Sequence, residues 1–147
     1  MKSNPLDYLK YWKVIRQYAK IKYEVSQADL DMMFFLYSEK YFDREKFAEY
    51  STIFPWDRDR FFSLKKRGFI EIFRKAIGHK KPIYRLSTKG SRMINSLYKK
   101  LNGEEIPTSL SQNRMFLKNV SYTDKVYRNM ISEMNEVIKQ QRRQPLE

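Results

Sequence analysis

Fourteen lysines and arginines stand between Trp56 and Gly103 against three acids, Asp57, Asp59 and Glu71, so this third of the chain holds +11 of a formal +13. Cations at that density have one evident chemistry: they neutralise polyanions and release the counterions condensed on them. Catalysis finds little footing. The 147 residues include one histidine and no cysteine, which leaves no metal cluster of usual spacing and no Cys/His or Ser/His/Asp constellation. The four glycines form no phosphate-cradling loop. The sequence therefore predicts no enzyme, no metal and no cofactor.

The rest of the chain sharpens the contrast. Residues 1–25 carry +4, residues 26–55 carry −3 and residues 104–147 carry +1. A polyanionic partner is expected, with nucleic acid ahead of acidic membrane and acidic protein. No window approaches the roughly 18 apolar residues of a membrane span, and Met1-Lys2-Ser3-Asn4-Pro5 lacks the apolar run of a secretory leader. The expected location is cytoplasmic. Aromatic residues make up 16% of the chain, ample bulk for a core.

Caps and periodicity place the cations on helices and a hairpin. Asn4-Pro5 offers a cap and a first-turn proline. Tyr8, Tyr11, Trp12, Ile15, Tyr18 and Ala19 then recur three and four apart, one apolar face of a helix. Ser26-Gln27-Ala28-Asp29 has the form of a capping box, and Leu30, Met33, Phe34 and Tyr37 give the following helix an inward stripe. Asp43 caps a third helix, with Phe47, Tyr50 and Phe54 inward. A fourth starts at Asp57, with Trp56 and Phe61 as the halves of a hydrophobic staple, and Gly68 ends it by accepting a left-handed backbone. Phe69–Arg74 and Ile83–Leu86 alternate as strands around a basic turn, Lys75–Pro82, with Ile70 and Ile72 sharing one face. Ser87 caps a fifth helix with the stripe Met93, Ile94, Leu97, Tyr98 and Leu101. Beyond a linker loop, Val126, Tyr127, Met130, Ile131, Met134, Val137 and Ile138 sustain a long last helix from about Thr123.

These elements predict a single α+β, mostly helical domain. An N-terminal helix covers 1–25, the core 26–103, the loop 104–113 and a C-terminal helical extension 114–147. Helix, two short strands with a basic turn between them, then helix is the order of a winged helix-turn-helix, here with helical extensions at both ends.

Two motifs inside the core resemble the multiple-antibiotic-resistance-regulator (MarR) family of winged helix-turn-helix repressors. Leu64-Lys65-Lys66-Arg67-Gly68-Phe69-Ile70 is similar to its Leu-x-x-(Lys/Arg)-Gly-hydrophobic-hydrophobic junction, and Leu86-Ser87-Thr88-Lys89-Gly90 to its Leu-Thr-x-x-Gly at the close of the wing. The resemblance implies a homodimer formed by the terminal helices, a fourth helix entering the major groove and a wing touching the minor groove. Relatives commonly hold a small-molecule effector, for which no residue here identifies a ligand. The family's wing-tip Asp-x-Arg falls on Gly78-His79-Lys80, which keeps the cation at Lys80 and lacks the aspartate. The chain also resembles unassigned winged-helix proteins of tailed bacteriophages.

On this reading His79, Lys80, Lys81 and Arg85, flanked by Arg74 and Lys75, hold the minor groove or its phosphates. Arg58, Ser63 and Lys66 face the major groove with Arg60 and Lys65 beside them; an arginine fork matches guanine. The expected partner is double-stranded DNA, bound by a transcriptional regulator in a bacterium or a phage-infected host cell. A rival from another class is a winged helix used as a protein-interaction or structural module, for instance within a phage particle. Asp57, Asp59 and an outward Phe62 speak for it. No membrane contact is expected, since no helix pairs a basic face with a free apolar one.

Overall fold

A computed structural model describes residues 8–54 and 58–143. In chain order they form α1 (Tyr8–Tyr23), α2 (Gln27–Glu39), α3 (Arg44–Tyr50), α4 (Arg58–Lys66), β1 (Ile70–Arg74), β2 (Ile83–Leu86), α5 (Thr88–Leu101), a 3-10 turn (Arg114–Phe116) and α6 (Tyr122–Arg143). The class is α+β, mainly helical, with one two-stranded antiparallel sheet. The chain gathers into two compact units, residues 26–96 and residues 1–25 with 97–147. The predicted cap at Asn4-Pro5, the Trp56 staple and the Asp57 cap lie outside the described residues.

In the unit 26–96, side chains close the helix ends as the sequence predicts. The Ser26 hydroxyl accepts from the Asp29 N–H (3.1 Å) while the Asp29 carboxylate accepts from the Ser26 N–H (3.0 Å), a reciprocal box with aspartate in the usual glutamate role. Asp43 caps α3 through the Lys46 N–H. Phe61 and Leu64 of α4 are buried. After α4 the Phe69 N–H bonds Leu64 O (2.9 Å) and the Gly68 N–H bonds Lys65 O (3.1 Å), the paired bonds of a Schellman stop, with Gly68 at φ 85°.

Spacing misplaces part of the core of α2. Met32 and Leu36 are fully buried beside Leu30 and Met33, whereas Phe34 and Tyr37 are only partly covered. Apolar residues run almost unbroken from Leu30 to Leu36, so periodicity cannot single out one face. In the hairpin, Ile70 opposes Leu86, Glu71 opposes Arg85 and Ile72 opposes Tyr84, with a register shift between Ile72 and Arg74. Ile70, Tyr84 and Leu86 are buried, but Ile72, expected with Ile70, is 40% exposed. By that residue the ribbon has outrun its helical support. Phe42 exchanges backbone bonds with Tyr84 (3.0 and 2.7 Å) and so fastens β2 to the segment between α2 and α3.

The two motifs that carry the family resemblance lock against each other. Ser87 donates its hydroxyl to Gly68 O and its backbone N–H to Phe69 O (2.8 Å), and its hydroxyl accepts from the Gly90 N–H (3.1 Å). A Cβ on Gly90 would stand 2.8 Å from Phe69 O, closer than real contacts allow. Gly90→Ala should therefore cost about 1–3 kcal/mol, read as a lower urea midpoint at unchanged slope.

In the other unit α1 packs on α6 and on the 3-10 turn. Val14, Ile15, Tyr18 and Ala19 are buried, as are Ile131, Met134 and Asn135 of α6. The Asn135 amide grips both backbone groups of Ile106 (2.9 and 2.8 Å), which pins the expected linker loop. Lys100, one of the fourteen cations, turns inward: it pairs with Glu104 at 3.2 Å and lies 5.6 Å from the Tyr18 ring centre. Burial, aided by the Glu104 charge, pushes the Tyr18 hydroxyl up to about 12. Tyr8, Leu9, Tyr122 and Val126 stay exposed.

Candidate nucleic-acid interface

Every residue from Ile72 to Lys81 is exposed, so the basic turn projects as a ribbon. Its tip is held closed. Ile77 and Lys80 exchange backbone hydrogen bonds (3.2 and 2.9 Å) around Gly78-His79, and Gly78 supplies the left-handed φ of 57°. Arg74, Lys75 and Lys80 have no acidic partner among the described residues. Lys81 differs: it donates to Glu45 of α3, whose hydrogen bond and charge hold the ammonium pKa above its ordinary value. Arg85 pairs with Glu71 across the ladder (2.9 Å) and lies 5.1 Å from the Phe73 ring centre. Exposed pairs of this kind are weak and exchange for a competing anion.

On α4 the exposed side chains are Arg58, Asp59, Phe62, Ser63 and Lys66. Asp59 sits in the first turn and Lys65 and Lys66 in the last, each where the helix dipole favours its charge. Asp59 thus has a local structural role despite its sign. Two guanidinium groups lie over the Phe62 ring, Arg44 at 5.1 Å and Arg58 at 5.5 Å from its centre. These cation–π contacts give the outward phenylalanine partners within the fold.

Arg60 behaves otherwise than expected. Instead of standing beside a groove it reaches the buried Asp29 at 2.6 Å and the Ser26 hydroxyl at 3.1 Å, while Arg67 holds the second Asp29 oxygen at 3.2 Å. Two arginines, one inside α4 and one just past it, are thereby clamped to the start of α2. Burial pushes the Asp29 carboxyl up, but the Ser26 N–H, the Arg67 and Arg60 guanidiniums and the Ser26 hydroxyl outweigh it and hold the group below its ordinary value. The clamp fixes which side of α4 faces outward. Sequence spacing gave no sign of it beyond the spare oxygen of a capping aspartate.

The first turn of α3 joins helix and hairpin. Glu45 holds Lys81, next to the hairpin tip, its neighbour Arg44 lies over Phe61 and Phe62 of α4, and Lys65 of α4 lies 5.5 Å from the Tyr84 ring of β2. Between them lies an open cleft of about 500 Å³ lined by Arg44, Glu45, Ala48, Lys81, Pro82 and Tyr84. No family model, curated protein or solved structure matches the chain.

Arg44 is the member of this surface that composition hid, because it lies in the acidic stretch 26–55. One signal was present: a cation in the first turn of a helix opposes the dipole, so its placement must serve something other than α3. Among the described residues no three His, Cys, Asp or Glu side chains gather in a way that could hold a metal ion, and no helix is long and apolar enough to cross a membrane.

Proposed function

We propose that residues 26–96 are a winged helix-turn-helix that binds double-stranded DNA, in a MarR-like transcriptional regulator. One observation supports the reading: the first turn of α3 meets both elements, Glu45 pairing with Lys81 of the hairpin and Arg44 lying over Phe61 and Phe62 of α4; on this reading a single polyanion lies across the ribbon and the outer face of α4. Arg58 and Lys66 are the groove-facing cations of α4, with Ser63 between them. Arg74, Lys75 and Lys80 are the phosphate contacts of the wing, and Arg44 extends the helix surface. Arg60 supports the helix and does not read DNA. The exposed Tyr8, Leu9, Tyr122 and Val126 are the apolar material for a homodimer through α1 and α6. The setting is the cytoplasm of a bacterium or of a phage-infected cell.

The test is an anisotropy titration of labelled nonspecific duplex at several salt concentrations. With Arg58, Lys65, Lys66, Arg74, Lys75 and Lys80 all on phosphates, the log–log salt slope should be roughly −5 for each bound chain, or roughly −10 where a homodimer binds as a unit. Sedimentation of the same mixtures should give two copies of the chain per site. Absence of binding at low salt would remove the DNA reading and leave the protein-interaction module in its place.

A further inference from the structure

The foremost side chains of the ribbon are not all charged. Ile77, at the tip, is 65% exposed, and its paired position Lys80 shares its face of the ribbon. The other apolar residues of the hairpin are less free. Phe73 is covered on one side by the Tyr41 ring, 4.4 Å between centres, and on another by Arg85. Ile72 lies one register step from the buried Ile70 and Leu86 pair. A single exposed isoleucine is ordinary on a protein surface. This one stands where the ribbon would first meet a partner, on a stretch from Arg74 to Lys81 that holds four cations and no acid.

Charge complementarity selects the occupant. A polyanion drawn onto Lys75 and Lys80 is brought directly against Ile77, and in duplex DNA the apolar surface available there is the face of a base pair. A β-branched side chain is stiff about χ1, and the closed two-residue turn fixes the backbone beneath it. Proteins that kink DNA from the minor groove use apolar side chains of this kind as wedges, flanked by cations that hold the phosphates. We propose that Ile77 is such a wedge. With Lys75 and Lys80 seated on the phosphates it enters the minor groove, parts one base step and bends the duplex. Pyrimidine–purine steps, which unstack most easily, are the preferred sites. This inference rests on the duplex-binding reading above and adds a mechanical action to it.

The experiment uses the full chain and a short duplex with a central TA step, labelled at both ends for energy transfer, with anisotropy recording binding independently. The wild type should bind and shorten the end-to-end distance, with a bend of roughly 20–90°. Ile77→Ala should lose most of the bend and bind roughly three- to ten-fold more weakly, with an unchanged salt slope and an unchanged melting curve. Ile77→Met should keep the bend. Binding without bending, or an Ile77→Ala protein that bends like the wild type, overturns the wedge while leaving the duplex reading intact. No binding in the anisotropy channel overturns both.

Discussion

Replacing Lys75 and Lys80 together by glutamate should weaken binding to nonspecific duplex about a hundred-fold near 0.1 M salt, and should make the log–log salt slope shallower by roughly two for each bound chain. Each lysine on a phosphate contributes about 0.9 to the slope through counterion release, so the slope counts contacts independently of affinity. The pair is chosen from the geometry. Both side chains are exposed on the ribbon and neither has an acidic partner among the described residues. Lys81 and Arg85 lie on the same hairpin but are engaged with Glu45 and Glu71; reversing either charge would also break a contact within the fold. A control pair, Lys118→Glu with Lys125→Glu, changes the net charge equally outside the proposed surface. If both double variants lose affinity alike, attraction to the chain is a matter of net charge and the wing is not a contact. If only the hairpin pair loses affinity, the ribbon touches DNA.

Much of this architecture was legible because short-range chemistry fixed it. Ser26 with Asp29, Asp43, Gly68 and Ser87 each end or begin an element through a bond spanning five residues or fewer, and such bonds can be read from spacing alone. The hairpin was legible for a similar reason: a turn needing a left-handed residue sits at Gly78 between two runs of alternating residues. What spacing could not show are the contacts between distant positions. The Asp29 clamp spans 31 and 38 residues, and its two arginines look in the sequence like any others in a basic stretch. The same holds for Lys100, which counts as surface charge until Tyr18 and Glu104 enclose it, and for Arg44, whose acidic neighbourhood in sequence is not its neighbourhood in space. Net charge identified the region, but which cations are free to meet a partner depended on where the few acids fold to.

Those long-range contacts make Asp29 the residue whose loss should damage the fold most. Asp29→Ala removes half of the capping box, worth about 1 kcal/mol, and strands two guanidiniums on one site. Deleting one partner of a fully buried pair costs about 3–5 kcal/mol, but the Arg60 and Arg67 side chains keep 27% and 34% of their surface in water, and solvent screening reduces that figure. A total of about 2–4 kcal/mol is expected, or a melting temperature lower by roughly 10 °C for a chain of this size. Arg60→Met should cost less, since Arg67 and Ser26 still satisfy the carboxylate.

The sign of the pH dependence follows from the lowered pKa of this carboxyl. Its stabilising contribution is fully present above the unfolded value near 3.8 and is lost as pH falls through the lower folded value. Wild-type stability should therefore fall below about pH 4 partly on this account, and Asp29→Asn should show a shallower acid limb along with lower stability at neutral pH. Urea titrations at pH 7 and at steps between pH 4 and pH 2 measure both. An Asp29→Ala protein as stable as the wild type at pH 7 would show that Phe61 and Leu64 alone orient α4. The clamp would then have no part in turning Arg58, Phe62 and Lys66 outward.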